Sequence, residues 1–304
     1  MMNRSIKFHI SLLLLCVFVT IDAQGEVAKQ TTGPKKGSLI VVGGGGDRNA
    51  LRIVLDRFVK LAGGKDARIV VVPTAISSRE DYDYTQYHMA RLLTQRYKLK
   101  DVQVVHTHDR KVANTKKFVK PITKATGVWF SGGRQWRFTK AYRGTLAEKA
   151  FHDVLTRGGV IAGSSAGATI QGSFLARGDT QTNTIMVGNV QHGFGFIKNV
   201  AIDQHIVPRK RQLDMLKVLD DPQKQMWKEF DREALLGIGV DEDTAMVVKG
   251  NQFEVIGKKD GLVFVYDPRK WKKDTQPHDK YITLKIGEKY DLFKRNRLHS
   301  SPKP

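Results

Sequence analysis

The chain has 304 residues, 40% hydrophobic and 27% charged, enough apolar material for one large core and too much for a disordered chain. Its 51 Lys and Arg against 30 Asp and Glu give a formal net charge of +21, which suits polyanionic substrates or surfaces, although a general surface bias is the simpler account. The basic residues are dispersed and no zinc-finger or stacking-aromatic motif accompanies them, so no nucleic-acid partner is expected.

Met1 to His9 carries Arg4 and Lys7, Ile10 to Ile21 is almost wholly apolar, and Ala23 offers a small residue at a cut. That order predicts a signal peptide over 1–23, hence a secreted or periplasmic protein. Its apolar run is short for a bilayer, so no stable membrane span is expected after processing. The only cysteine, Cys16, lies inside this segment, which leaves the remainder without a disulfide, a thiolate metal site or a cysteine nucleophile.

A polar lead over 24–36 is expected to be disordered, followed by one α/β domain over 37–294 and a loose basic tail over 295–304. Ser38 to Val42 reads as a buried strand, and Gly43 to Gly46 turn it into an amphipathic helix bearing Leu51, Val54 and Phe58. Arg48 stands where a dinucleotide fingerprint needs its third glycine, so no nicotinamide site is expected. Further strands are predicted over 68–72, 102–105, 128–130 and 159–162. Between them fall helices over 84–96 and 136–156, and a short helical piece over 118–123 broken at Pro121. Strands alternating with helices predict a mostly parallel, doubly wound sheet with helices on both faces. Beyond Phe196 the pattern gives strands over 200–205 and 235–240, a helix over 210–219, an antiparallel pair from 253–256 and 262–266, and an edge strand over 281–286.

Gly163-Ser164-Ser165-Ala166-Gly167 fits the nucleophile-elbow pattern, in which a sharp strand-to-helix turn lifts the central serine above the sheet. Ser165 would then stand at a helix N-terminus, with the Ala166 amide as a first oxyanion donor. Of nine histidines, His205 is the best base because it ends a strand downstream of Ser165. The acid stays open on the residues alone. The order of ordinary elbow hydrolases nominates Asp179, whereas Asp203 shares a strand face with His205.

Four co-ordered motifs, Val128 to Gln135, Gly163 to Ala168, Ile202 to His205 with Arg209 and Arg211, and Gly237 to Ala245, resemble the cyanophycinase branch of the serine peptidases that also include dipeptidase E. The resemblance implies a class I glutamine amidotransferase-like fold, with antiparallel strands near the C-terminus. It implies a triad of Ser165, His205 and Glu242, a second oxyanion amide from Gly133, and substrate contacts from Gln135, Asp203, Gln204, Arg209 and Arg211, with no metal and no cofactor. Arg134 stands where the family's loop has aspartate, and Asp214 where a third arginine is frequent, so the specificity pocket is altered. The expected activity is a serine exopeptidase acting through an acyl-enzyme on aspartyl or β-aspartyl-arginine polymer or peptides. A non-catalytic binder of anionic polymers on the same scaffold, or a hydrolase of other short acidic peptides, is the alternative. A homodimer is left open.

Overall fold

The computed structural model describes residues 30–76 and 87–298. The expected signal peptide, the first residues of the predicted 84–96 helix and the last six residues of the chain lie outside the described residues. From Thr31 onward the chain forms one unit containing two sheets. The strands of the larger sheet are β1 (Ser38–Val42), β2 (Arg68–Val72), β3 (Asp101–Val104), β4 (Gly127–Phe130), β5 (Val160–Ser164), β9 (Thr244–Lys249), β10 (Gln252–Gly257), β13 (Lys289–Asp291) and β14 (Asn296–Leu298). Their order is β14-β13-β10-β9-β1-β5-β4-β2-β3. The β1, β5, β4, β2 and β3 block is parallel, and β9 joins it antiparallel beside β1.

The second sheet holds β6 (Gly172–Phe174), β7 (Ile197–Gln204), β8 (Leu236–Val240), β11 (Leu262–Tyr266) and β12 (Ile282–Lys285), in the order β12-β11-β8-β7-β6. Here β6, β7 and β8 are parallel and β11 and β12 antiparallel.

Period-two alternation divides the core. Ile40, Val42, Ile69, Val71, Trp129 and Ala162 pack with the helices Arg48–Leu61 and His88–Tyr97 on one face. Leu39, Val41, Val70, Val128 and Phe130 face the other way, onto the helices Lys116–Lys124, Gln135–Tyr142 and Leu146–Thr156 and the inner residues of the second sheet. Because parallel strands are covered on both faces, β1 is buried throughout.

Several elements depart from the sequence pattern, each for a local reason. The predicted 136–156 helix is two, because Gly144 turns at φ +72° and Thr145 starts a fresh helix. The Thr145 hydroxyl accepts from Ala147 N, while Glu148 Oε2 accepts from Gly144 N at 2.6 Å. Conversely, the helix at Pro121 is not broken there; it starts at Lys116 behind the Thr115 cap and buries Val119 and Ile122. The 210–219 helix shrinks to Leu216–Leu219, since Arg211 turns inward.

The strands over 253–256 and 262–266 do not pair with each other. Thr244–Lys249, absent from the prediction, makes a hairpin with β10, and the Lys258 to Gly261 turn carries the chain into the other sheet. The described residues of the expected lead and tail are tied into the fold. Thr31 is fully buried and accepts from Arg295 Nη2 at 2.7 Å, Thr32 bridges Lys198, and Arg295, buried against Asp267 at 2.8 Å, leads into β14. Among the described residues no helix is long and apolar enough to cross a membrane.

Candidate active site

Ser165 follows β5 directly and opens the short helix Ala166–Thr169. Its backbone sits at φ +55°, ψ −112°, a region that non-glycine residues rarely occupy and that the surrounding structure must hold. The elbow glycines serve close approach. A Cβ on Gly163 would lie 2.1 Å from Gly167 O, and one on Gly167 2.1 Å from Phe130 O, so any larger residue would push the helix off β4 and β5.

His205 follows β7, and its Nε2 is 2.8 Å from Ser165 Oγ. Its Nδ1 is 2.5 Å from Glu242 Oε1. A carboxylate can only accept, so Nδ1 carries the proton, Nε2 is left as acceptor, and the Ser165 hydroxyl donates to it. Burial is the largest influence on the imidazole and holds its pKa below the usual histidine range; the cations Arg209 and Arg211 push the same way, and the Glu242 hydrogen bond opposes them. A neutral imidazole at neutral pH is the form that accepts a proton.

The three acids after β8 separate by what they touch. Asp241 Oδ1 accepts from Val207 N at 3.0 Å, and Asp243 Oδ1 from Asp47 N at 3.0 Å, so both staple loops; Glu242 alone of the three reaches His205.

Beneath this line runs the glycine turn after β1. Val42 O accepts from Ser165 N, Gly43 O from His205 N, and Gly44 O from Asp243 N, at 2.8 to 3.0 Å. Gly44 lies against the ring itself, at φ +104°, where a Cβ would stand 2.1 Å from His205 Cε1. The glycines thus form the floor on which three distant segments are registered.

The two expected oxyanion donors belong to segments that flank Ser165. Ala166 occupies the first position of its helix, where an amide has no intrahelical acceptor. The Gly132-Gly133 turn leans on Ser165, with a Cβ at Gly132 falling 3.4 Å from Ser165 Cβ, and Gly133 at φ +139°.

The expected substrate contacts do not behave alike. Asp203, expected to meet substrate, has no exposed surface: Arg177 Nε donates to Oδ1 at 2.8 Å and Nη2 to Oδ2 at 2.9 Å. Its charge is spent inside the protein, and its role is to anchor arginines. Gln135, 2% exposed, donates to the carbonyls of Ala176 and Arg177, bracing that loop. Gln204 Oε1 and its backbone carbonyl accept from Arg211 Nη1 at 3.2 and 3.0 Å, with Asp203 Oδ1 3.8 Å from the same nitrogen. Arg211 is therefore buried and aimed, whereas Arg209 is exposed.

Asp179 accepts from Gln181 N and Thr182 N within its own loop, and its described hydrogen bonds do not reach His205. Arg177 was not singled out by the sequence pattern. Buried at φ +55°, it also donates to Asp214 Oδ2 at 2.6 Å and to Asn183 O at 3.1 Å. No local signal marks it, because Asp203 and Asp214 require a buried cation only once the fold has turned them toward it.

An elbow serine, a neutral imidazole and a carboxylate in hydrogen-bonded line on an α/β sheet define a serine-type hydrolase. The sequence model of peptidase family S51 matches residues 39–256, and the chain belongs to that family, as a serine-type peptidase. It is 30% identical over 237 residues to the cyanophycinase of Geminocystis herdmanii, covering 76% of this chain and 81% of that one. The cyanophycinase of Synechococcus elongatus is 28% identical over 284 residues, covering 92% of this chain and 81% of its own length. Among solved structures, a peptidase from an acI-B1 actinobacterium shares the fold at a TM-score of 0.59 and 21% identity, over 85% of this chain and 98% of that one. The fold is class I glutamine amidotransferase-like.

Proposed function

We propose that this peptidase cleaves aspartate-rich peptides or polymer, of the kind named by its cyanophycinase relatives, through an acyl-enzyme on Ser165, and that it acts outside the cytoplasm. The observation that carries the reading is the hydrogen-bonded line from Ser165 Oγ through His205 to Glu242. In the forward step His205 Nε2 takes the hydroxyl proton as Oγ attacks the scissile carbonyl carbon, and the resulting oxyanion is held by the amides of Ala166 and Gly133. Collapse breaks the C–N bond, and the imidazolium returns its proton to the leaving amine. A water molecule, deprotonated by the same nitrogen, then attacks the ester, releasing the acid and restoring the serine. Glu242 holds the imidazole in the required tautomer and offsets its transient charge.

Substrate choice follows from the pocket's charge. With Asp203 and Asp214 engaged by Arg177, and Arg211 buried against Gln204 and Asp203, the exposed Arg209 beside His205 is the cation best placed to meet a substrate carboxylate. Arg134, at the start of the Gln135–Tyr142 helix, adds to that balance.

Incubation with cyanophycin and mass analysis of soluble products is the direct test. Release of β-aspartyl-arginine units by the wild type and none by Ser165→Ala is expected. Labelling of Ser165 by an active-site serine probe without any release would move the substrate to other acidic peptides.

A further inference from the structure

Away from the serine, the 220–232 segment folds back over the loop bearing His192. Gln191 Oε1 accepts from Trp227 N at 2.7 Å and its Nε2 donates to Gln225 O at 2.7 Å, while Asp221 accepts from the Gln225 and Met226 amides at 3.0 Å. These bonds set Trp227 edge-on to His192, ring centroids 5.2 Å apart, yet leave it 39% exposed. Beside the indole opens a cavity of about 440 Å³ lined by Arg110, Thr139, Arg143, Val190 and His192.

Its charges are unequal. The carboxylates near it are already engaged, Glu229 with His192 Nε2 at 3.0 Å and Glu148 with the Gly144 amide. Arg143, by contrast, has a buried Nε without an acceptor among the described residues. Burying a cationic N–H unpaired is costly, and a carboxylate satisfies the edge of a guanidinium with two parallel bonds. Arg110 Nη1 is held by Lys140 O at 3.2 Å, which brings a second guanidinium to the same rim.

We propose that this cavity is a second binding site, distal to Ser165, for carboxylates of an anionic peptide or polymer. The proposal rests on the reading of the chain as a peptidase of aspartate-rich material. It adds the prediction that long chains are held at two places. Thr139 and Arg143 lie on and just past the Gln135–Tyr142 helix, whose other end joins the Gly132-Gly133 turn beside Ser165. Eight helical residues span about 12 Å, the reach of roughly four extended residues. A dipeptide engages one site; a longer chain bridges both and gains avidity.

The test uses full-length Ser165→Ala, which is expected to bind without cleaving, titrated with soluble polyaspartate of about twenty residues while tryptophan fluorescence is followed. A saturable change is expected that disappears with Trp227→Phe, weakens about tenfold or more with Arg143→Gln, and is not produced by an aspartyl dipeptide or by inorganic phosphate at equal ionic strength. Trp227 is half-exposed, so its replacement leaves the core intact. Absence of a Trp227-dependent signal, full affinity in both Arg143→Gln and Arg143→Lys, or an equal response to phosphate would each overturn the site. Retention of this binding by an enzyme whose wild type fails to cleave cyanophycin would instead count against the proposed substrate and leave the site standing. Cleavage of cyanophycin with no Arg143 dependence of polymer binding would do the reverse.

Discussion

Two neighbouring regions of the site are held in different ways. The line of Ser165, His205 and Glu242 is registered by backbone: the β1 turn offers consecutive carbonyls to Ser165, His205 and Asp243, and glycine lets the imidazole lie flat on it. The floor beside it is held by side chains, Arg177 between Asp203 and Asp214 and Arg211 against Gln204. Backbone registration demands particular small residues in short runs and so leaves motifs. Side-chain pairing can draw on any loop that reaches, so it leaves almost none. The first region is accordingly the more rigid in composition and the second the more open to drift in specificity.

The largest expected effect breaks the first region at its centre. Ser165→Ala should lower turnover by about four to six orders of magnitude, to background, with an unchanged melting temperature, because the small volume at the elbow is kept. Glu242→Gln should cost two to four orders in kcat, as roughly seen when the orienting charge behind a catalytic imidazole is lost. Asp179→Asn should leave kcat within about twofold in the same assay, since Asp179 serves its own loop. A reversal of those two results would relocate the acid.

Gly44→Ala tests the backbone side of the comparison. Its Cβ would overlap the His205 ring, so a loss of about a hundredfold in kcat is expected from displacement of the base. Thermal unfolding measured alongside would show whether the damage stays local.

Arg177→Met tests the other side. Removing one partner of a buried ion pair leaves Asp203 with only the longer 3.8 Å contact to Arg211, and a loss of about 3–5 kcal/mol in denaturant-derived stability is expected. If the two regions are independent, the folded fraction should still hydrolyse a small activated ester, which needs only the serine line.

The smallest effect is a shift in a pH profile. His205 must be neutral to accept the serine proton, and burial and then the nearby cations hold its pKa below the usual histidine range. The acid limb of kcat/KM therefore lies below the usual histidine range. Arg209→Ala removes one of the cations, so the pKa rises and the limb should move to higher pH; a limb that stayed put would detach Arg209 from the imidazole.

That contrast also explains what could be read from the chain. Ser165, His205 and the glycine turn lie at the ends of apolar strands, where periodicity points, and the choice of Glu242 over its neighbours came from resemblance. Arg177 lies in an irregular loop between β6 and β7 with no pattern around it, and its partners are 26 and 37 residues away. Strand β9 was hidden because its first residues, Thr244 and Ala245, belong to the acidic motif that precedes it. Without β9 in the pattern, the sequence points β10 at β11, whereas the two strands lie in different sheets. The division into two sheets depends on which distant strands meet, which local periodicity does not encode.

Strand β1 lies between β5 and β9 and carries at its end the turn that touches all three site segments. Its partners follow it by about 120 and 200 residues, so loop closure must precede any reward from pairing. As the chain leaves the ribosome, the first strand waits for the ninth. A nascent or truncated chain ending before Glu242 can hold the elbow and the histidine yet lack both the acid and the strand that closes the sheet over the turn. Hydrolytic competence is thereby tied to synthesis past Glu242 and β9, a delay written into the order of the strands.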